Sequence, residues 1–128
     1  MSPDIRLLTY SAILTWVMIV AASMLRSRGN LAVAFGNREN LEPPTPMAGR
    51  AERAAKNMLE NLVLFTAFLM AASAAGHGGE SRVVLGARVF FFARLAYWPV
   101  YLAGITHVRT ALWFAGVVGM GLIASAML

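Results

Sequence analysis

Two short clusters of ionisable, amide and phenol side chains lie inside otherwise apolar segments of this chain. The first cluster holds Arg53, Asn57 and Glu60, whose i, i+4 and i+7 spacing places them on one face of a helix. Ionisable residues inside a membrane helix are costly, so by default they face the protein interior and indicate a functional site. These side chains are suited to ligand recognition. A guanidinium binds a carboxylate, an amide hydrogen-bonds an amide, and a carboxylate binds an ammonium group.

The second cluster has the same kind of spacing. Arg94, Tyr97 and Tyr101 follow an i, i+3, i+7 pattern and share a helix face, and Arg109 opens the next apolar segment. Both clusters lie toward the same ends of their predicted helices, so we expect them to converge. Together they would form a polar site with several cations, one carboxylate, one amide and two phenols. Such a site suits a small zwitterionic ligand that carries a net negative charge.

Simpler interpretations exist for several of these side chains. Arg50, Arg53 and Lys56 could be anchors that extend from an apolar helix to the membrane surface. Lys56 with Glu60 also has the spacing of an i, i+4 ion pair. Tyr97 and Tyr101 also fit the aromatic belt of a membrane interface. Glu60 resists such an interpretation, because an acid one turn or more into an apolar helix needs a partner.

Other kinds of site find little support. The chain has no Cys, and His77 and His107 have no second ligand at metal-binding spacing, so we predict no metal site. The net charge of +5 would suit nucleic acid, but the basic residues lie at the ends of apolar segments, where membrane topology places them. We therefore expect no nucleic-acid partner.

The elements that must position both clusters are membrane helices. Hydrophobic residues make up 59% of the chain and charged residues 13%, against roughly a quarter charged in soluble domains. Residues 7–25 hold no charge and approach the roughly 20 residues that cross a bilayer, which is too long for a signal peptide's apolar region. We predict an all-α, integral membrane four-helix bundle, one domain over residues 1–128, with helices over roughly 5–26, 49–75, 82–105 and 108–127.

The connection between the first two predicted helices is long and polar, and it ends in the proline-rich residues 43–46. This connection and its flanking helix ends hold six basic residues, and the third connection holds Arg109. The opposite side has Arg6 and Arg82. The positive-inside rule then predicts that the first and third connections are cytoplasmic and that both termini lie on the other side. The six residues are Arg26, Arg28, Arg38, Arg50, Arg53 and Lys56.

Three motifs together resemble a known family. Residues 50–61, which contain the first cluster, residues 94–101 and residues 109–113 are similar to the signatures of the membrane-associated proteins in eicosanoid and glutathione metabolism, the MAPEG family. The resemblance covers nearly the whole chain and is closest to the short bacterial branch related to microsomal glutathione transferases. It implies a homotrimer in the bacterial inner membrane, with glutathione bound between neighbouring subunits near the cytoplasmic face.

The resemblance also implies a role for each cluster. Arg53, Lys56, Asn57 and Glu60 of one subunit would bind glutathione, and the side chains from a neighbouring subunit would be Arg94, Tyr97, Tyr101 and Arg109. Arg109 would be the catalytic residue. A thiol with a pKa of about 8.5 is mostly protonated at neutral pH, and an adjacent guanidinium lowers that pKa. The thiolate would then attack a hydrophobic small molecule or lipid arriving from the bilayer.

Three functions stay open at this point. The first is a glutathione transferase or peroxidase that detoxifies hydrophobic electrophiles, with glutathione as co-substrate. The second is a non-catalytic lipid-binding or scaffold member of the same fold. The third is a small multidrug exporter, which would rely on a carboxylate midway along the first helix, and residues 7–25 contain no acid.

Overall fold

The structure, a computed structural model, describes residues 1–39 and 41–128. Its helices are α1 (Pro3–Arg26), α2 (Leu31–Phe35), α3 (Pro46–Ala74), α4 (Ser81–Leu102) and α5 (Thr106–Ser125), and the described residues contain no strand. Four of these helices, all except α2, are long and apolar enough to cross a membrane. The prediction of an all-α fold with four membrane-length helices is confirmed.

Helix starts differ from the predicted ones because of proline. α1 begins at Pro3 and α3 at Pro46, two and three residues before the predicted starts. Proline at the first helical position lacks only an N–H that would be unpaired there in any case, and its fixed φ suits the helix. The Thr45 side chain completes the start of α3 by accepting a hydrogen bond from the Ala48 N–H at 3.2 Å.

The long first connection contains a helix that the sequence analysis missed. Asn30 caps α2 by accepting hydrogen bonds from the backbone N–H groups of Ala32 and Val33 at 3.0 and 3.3 Å. A helix of five residues is too short to show an apolar period, so its cap was the only usable signal. Asn40, in the same predicted connection, lies outside the described residues.

The core forms where the four long helices meet. α4 packs along α5 and α1 along α3, and α4 joins the two pairs by contacting both α1 and α3. The rings of Phe65 on α3 and Phe90 on α4 stack with centroids 4.0 Å apart. Large apolar side chains buried beside them are Met18, Met58, Leu69 and Ile123.

Close backbone contact sets the position of α4 against α5. A Cβ atom on Gly119 would lie 2.6 Å from the Gly86 carbonyl oxygen, and one on Gly86 would lie 2.5 Å from that of Gly119. Neither position tolerates a larger residue without a shift of one helix, because both obstacles are backbone atoms. A Cβ on Gly116 would lie 3.4 Å from Arg94 Cδ, whereas Gly121 faces open space. Of the three glycines in α5, two therefore pack against α4.

Contacts at each end of the bundle show that the four long helices run alternately up and down. At one end, which we call the charged end, Arg26 of α1 lies 3.5 Å from Glu52 of α3. At the other end, the Asp4 carboxylate accepts a hydrogen bond from the Gly79 N–H at 3.1 Å. The charged end therefore contains the C-termini of α1 and α4 and the N-termini of α3 and α5.

Candidate functional site

Arg94 is the centre of the polar cluster and is only 1% exposed. Its Nη2 donates to Asn57 Oδ1 at 2.7 Å, its Nε contacts the Met58 sulfur at 3.3 Å, and its Cζ lies 4.1 Å from the centroid of the Tyr97 ring. Within residues 1–39 and 41–128 no carboxylate lies at ion-pair distance from this guanidinium. Neutral oxygen, sulfur and aromatic groups therefore hold a buried cation.

Asn57 is held in one orientation by two donors. Besides Arg94, the Asn61 side-chain nitrogen contacts Asn57 Oδ1 at 3.3 Å and the Asn57 backbone carbonyl at 2.9 Å. Because the Asn57 oxygen already accepts from both neighbours, its amide nitrogen is directed away from Arg94 and keeps its donors for another group. Asn61 was not among the predicted site residues, although an amide one turn beyond Asn57 in an apolar stretch was a usable signal.

Aromatic rings connect Arg94 with Arg109. The rings of Tyr97 and Tyr101 meet edge to face with centroids 5.4 Å apart, and Arg109 Cζ lies 4.5 Å from the centroid of the Tyr101 ring. Both tyrosines are buried, whereas Arg109 is half-buried at the start of α5. The arrangement runs from the middle of α4 toward the charged end, and we call these four residues the Arg–Tyr ladder. Tyr101 follows Arg94 by about two turns of α4, and the faces of the two tyrosines connect the two cations.

The remaining predicted residues lie on the outside of α3. Arg53, Lys56 and Glu60 are exposed, and none of them makes a side-chain hydrogen bond or ion pair with another residue of the described chain. The i, i+4 pair of Lys56 with Glu60, which the spacing allowed, does not form. A carboxylate and two cations thus remain available on one helix face, beside the amide of Asn57.

Asn57 and Arg94 are hydrogen-bonded to each other within one chain. The rotation of α3 turns the Asn57 side chain toward α4 while its neighbours Arg53 and Glu60 point outward. The division of the glutathione site between two subunits, which the family resemblance implies, stays a prediction. Spacing along one helix cannot reveal which neighbouring helix its edge residues meet.

Basic residues outside the clusters have partners of their own. Arg28 pairs with Glu42 at 2.7 Å, and Arg38 donates to Ser23 Oγ and to the Ala34 carbonyl, both at 2.6 Å. These contacts order the connection between α1 and α3. They do not bring either arginine to the Arg–Tyr ladder in a single chain.

A comparison with protein families decides the affiliation of this chain. A family model described as the MAPEG family matches residues 7–128. The chain belongs to the MAPEG family. No curated protein matched the sequence.

Membership gives this MAPEG protein a general setting. It is an integral, multi-pass membrane protein of a family associated with glutathione and with membrane lipids. The matched region contains all five helices except the first turn of α1, and it includes both polar clusters. No group of three or more His, Cys, Asp or Glu side chains that could hold a metal occurs in the described part of the chain.

Proposed function

We propose that this MAPEG protein is a glutathione-dependent transferase or peroxidase that acts on hydrophobic electrophiles in the membrane. One observation carries the proposal. The Arg–Tyr ladder ends in Arg109 on the same side of the bundle as Asn57 and the exposed charges of α3. Glutathione is a tripeptide with two carboxylates, one ammonium group, amides and a thiol. This side of the bundle has a complementary side chain for each of these chemical groups.

Each side chain has a defined part in binding. Glu60 accepts hydrogen bonds from the ammonium group, and Arg53 and Lys56 bind the two carboxylates. Asn57 donates its amide N–H groups to a carbonyl of the tripeptide, since its oxygen is already occupied. Arg94 and Tyr97 form the wall behind Asn57 and keep the site rigid.

Arg109 supplies the chemistry at the thiol. Its guanidinium makes no ion pair with a described carboxylate and rests on the Tyr101 ring, so its charge is available to an anion. Beside it the glutathione thiol loses its proton more readily, because the cation stabilises the thiolate. The sulfur then attacks an electrophilic carbon and displaces its leaving group. Alternatively, it attacks the terminal oxygen of a hydroperoxide and breaks the O–O bond, which gives glutathione sulfenic acid and releases the other oxygen as an alcohol after protonation. A second glutathione then converts the sulfenic acid to the disulfide and water.

The assembly we propose is a homotrimer in which α3 faces its own copies. Seven positions of α3 spaced alternately by three and four residues are all exposed, a pattern typical of a helix seam that packs on another helix. They are Arg53, Lys56, Glu60, Val63, Ala67, Met70 and Ala74. The apolar half of this seam would pack between subunits, and the charged half would open into the glutathione site. We place this trimer in a bacterial inner membrane with its charged end in the cytoplasm.

Two measurements on the detergent-solubilised protein test the proposal. Isothermal titration with glutathione should show binding that Glu60→Gln and Arg53→Ala reduce strongly. Absorbance of the bound thiolate at about 240 nm should be present in the wild type and lost in Arg109→Ala, because the charge that stabilises the anion is removed. Absence of glutathione binding by the correctly assembled wild type would refute the function.

A second candidate, lipid binding without catalysis, is favoured by one groove. It has a volume of about 490 Å³ and lies between α1, α2 and α3, with aliphatic walls that include Ile19 and Val20 and polar groups from Arg38 and Glu52. Such a groove fits an amphiphile with an apolar chain and a polar head. This function is the better one if the assembled protein binds fatty acid yet conjugates no glutathione to a chlorodinitrobenzene-type electrophile.

A further inference from the structure

Arg50 crosses from the first turn of α3 to the last turn of α4. Its Nε donates to the Leu102 carbonyl at 2.9 Å, and the side chain is half-buried. The sequence allowed Arg50 to be a simple surface anchor. An anchor would extend toward water, whereas this guanidinium donates a hydrogen bond to a backbone carbonyl of another helix.

The Leu102 carbonyl needs such a donor because of how α4 ends. The last carbonyls of a helix have no partner within the helix. Here the Ile105 N–H bonds the Val100 carbonyl at 3.2 Å and the Gly104 N–H bonds the Tyr101 carbonyl at 3.0 Å, the Schellman pattern, with Gly104 at φ +76°. This pattern leaves the carbonyl of Leu102 open. A cation at a helix C-terminus is also favoured by the helix dipole.

The same guanidinium braces the turn that follows. A Cβ atom placed on Gly104 would lie 3.7 Å from Arg50 Cζ, so the arginine lies directly against the left-handed residue of the turn. Only Ala103, Gly104 and Ile105 separate α4 from α5. These three residues determine the orientation of the first turn of α5, which carries Arg109, relative to the last turn of α4, which carries Tyr101.

We infer that Arg50 is a positioning residue. By bonding the Leu102 carbonyl and bracing Gly104, it holds the α4–α5 turn in one conformation and so keeps the Arg109 guanidinium over the Tyr101 ring. Its importance for catalysis rests on the proposed function, in which Arg109 stabilises the thiolate. Its hold on the turn does not depend on glutathione.

Three variants test this role. Arg50→Ala removes the donor and the brace. Arg50→Gln removes the charge but puts a side-chain N–H donor the same number of bonds from Cα as Arg50 Nε, so it should restore the bond to Leu102. Arg88→Ala is the control, because Arg88 is an exposed arginine of α4 that makes no contact with the turn.

Hydrogen exchange of the amides in residues 103–109, measured without glutathione, directly reports how often the α4–α5 turn opens. We expect exchange on the order of tenfold faster in Arg50→Ala, because a bond from a charged donor is lost. The exchange rates of Arg50→Gln should be close to those of the wild type, and the exchange rates of Arg88→Ala should equal them. Equal exchange in Arg50→Ala and wild type would overturn the inference, and so would an Arg50→Gln variant as fast as Arg50→Ala.

The second readout separates this role from binding. In Arg50→Ala we expect glutathione affinity within about threefold of wild type, with a clear loss of thiolate absorbance per bound glutathione, since Arg109 acts on the sulfur alone. An unchanged thiolate signal together with fast exchange would overturn the link between the turn and Arg109. A wild type that binds no glutathione refutes the proposed function, and the exchange data then still decide whether Arg50 holds the turn.

Discussion

The Arg94 guanidinium donates to the Asn57 side-chain oxygen at 2.7 Å, and this bond joins α4 to α3 at the centre of the polar cluster. It connects residues 37 positions apart and is supported by Met58 and by the Tyr97 ring. A buried cation without a described carboxylate partner depends strongly on such neutral acceptors. Asn57 therefore serves the stability of the bundle as well as the proposed ligand site.

We expect Asn57→Ala to lower the free energy of unfolding by about 1.5–3 kcal/mol, because a buried charged donor loses its oxygen partner. Thermal unfolding in detergent, followed by circular dichroism, measures the change. Lys56→Ala, one residue away but exposed, should change it by no more than about 0.5 kcal/mol. Equal melting temperatures for the two variants would contradict the importance of the Arg94–Asn57 bond.

Tyr101 should act through its ring rather than through its hydroxyl. Tyr101→Phe keeps the aromatic face that lies 4.5 Å from Arg109 Cζ, so we expect nearly unchanged kcat. Tyr101→Leu removes a cation–π contact of about 0.5–2 kcal/mol and should lower kcat roughly twofold to thirtyfold. Conjugation rates at saturating glutathione measure this. A larger loss in the phenylalanine variant would show instead that the hydroxyl takes part in the reaction.

Glu60 should matter for the ligand and hardly at all for the single chain. It is exposed and makes no described ion pair, so Glu60→Gln should alter stability by less than about 0.5 kcal/mol. Loss of a charged hydrogen bond to an ammonium group should weaken glutathione binding by about tenfold or more. Isothermal titration checks this, with Glu80→Gln at the opposite end of the bundle as control. Similar affinities for both variants would exclude Glu60 from the site.

Gly119 and Gly121 offer a matched pair in one helix. Gly119→Ala places a methyl group 2.6 Å from the Gly86 carbonyl oxygen, and we expect a loss of about 1–3 kcal/mol in stability. Gly121→Ala meets nothing within 4 Å and should leave stability unchanged or raise it by up to about 1 kcal/mol, since alanine favours the helix. Unfolding in detergent distinguishes them. A destabilised Gly121→Ala variant would mean that this face is covered in the assembly.

The sequence by itself determined the four long helices and the faces of the two clusters. Apolar length predicts membrane helices, and 3.6-residue periodicity places Arg53 with Glu60 and Arg94 with Tyr97. Apolar length and helical periodicity both depend only on residues that are close together in the sequence. The resemblance to the MAPEG family rests on three short motifs, and the match of the family model over residues 7–128 confirms it. The short α2 escaped prediction because five residues are too few for a periodic signal.

Only the tertiary structure decided which residues meet between helices. Arg50 contacts Leu102 across 52 positions, and Arg94 contacts Asn57 across 37 positions of the same chain. Such contacts depend on how far each helix is rotated about its axis and shifted along it. Those two quantities are set by long-range packing, above all where the backbones of Gly86 and Gly119 touch, and no pattern within one helix encodes its rotation against the next.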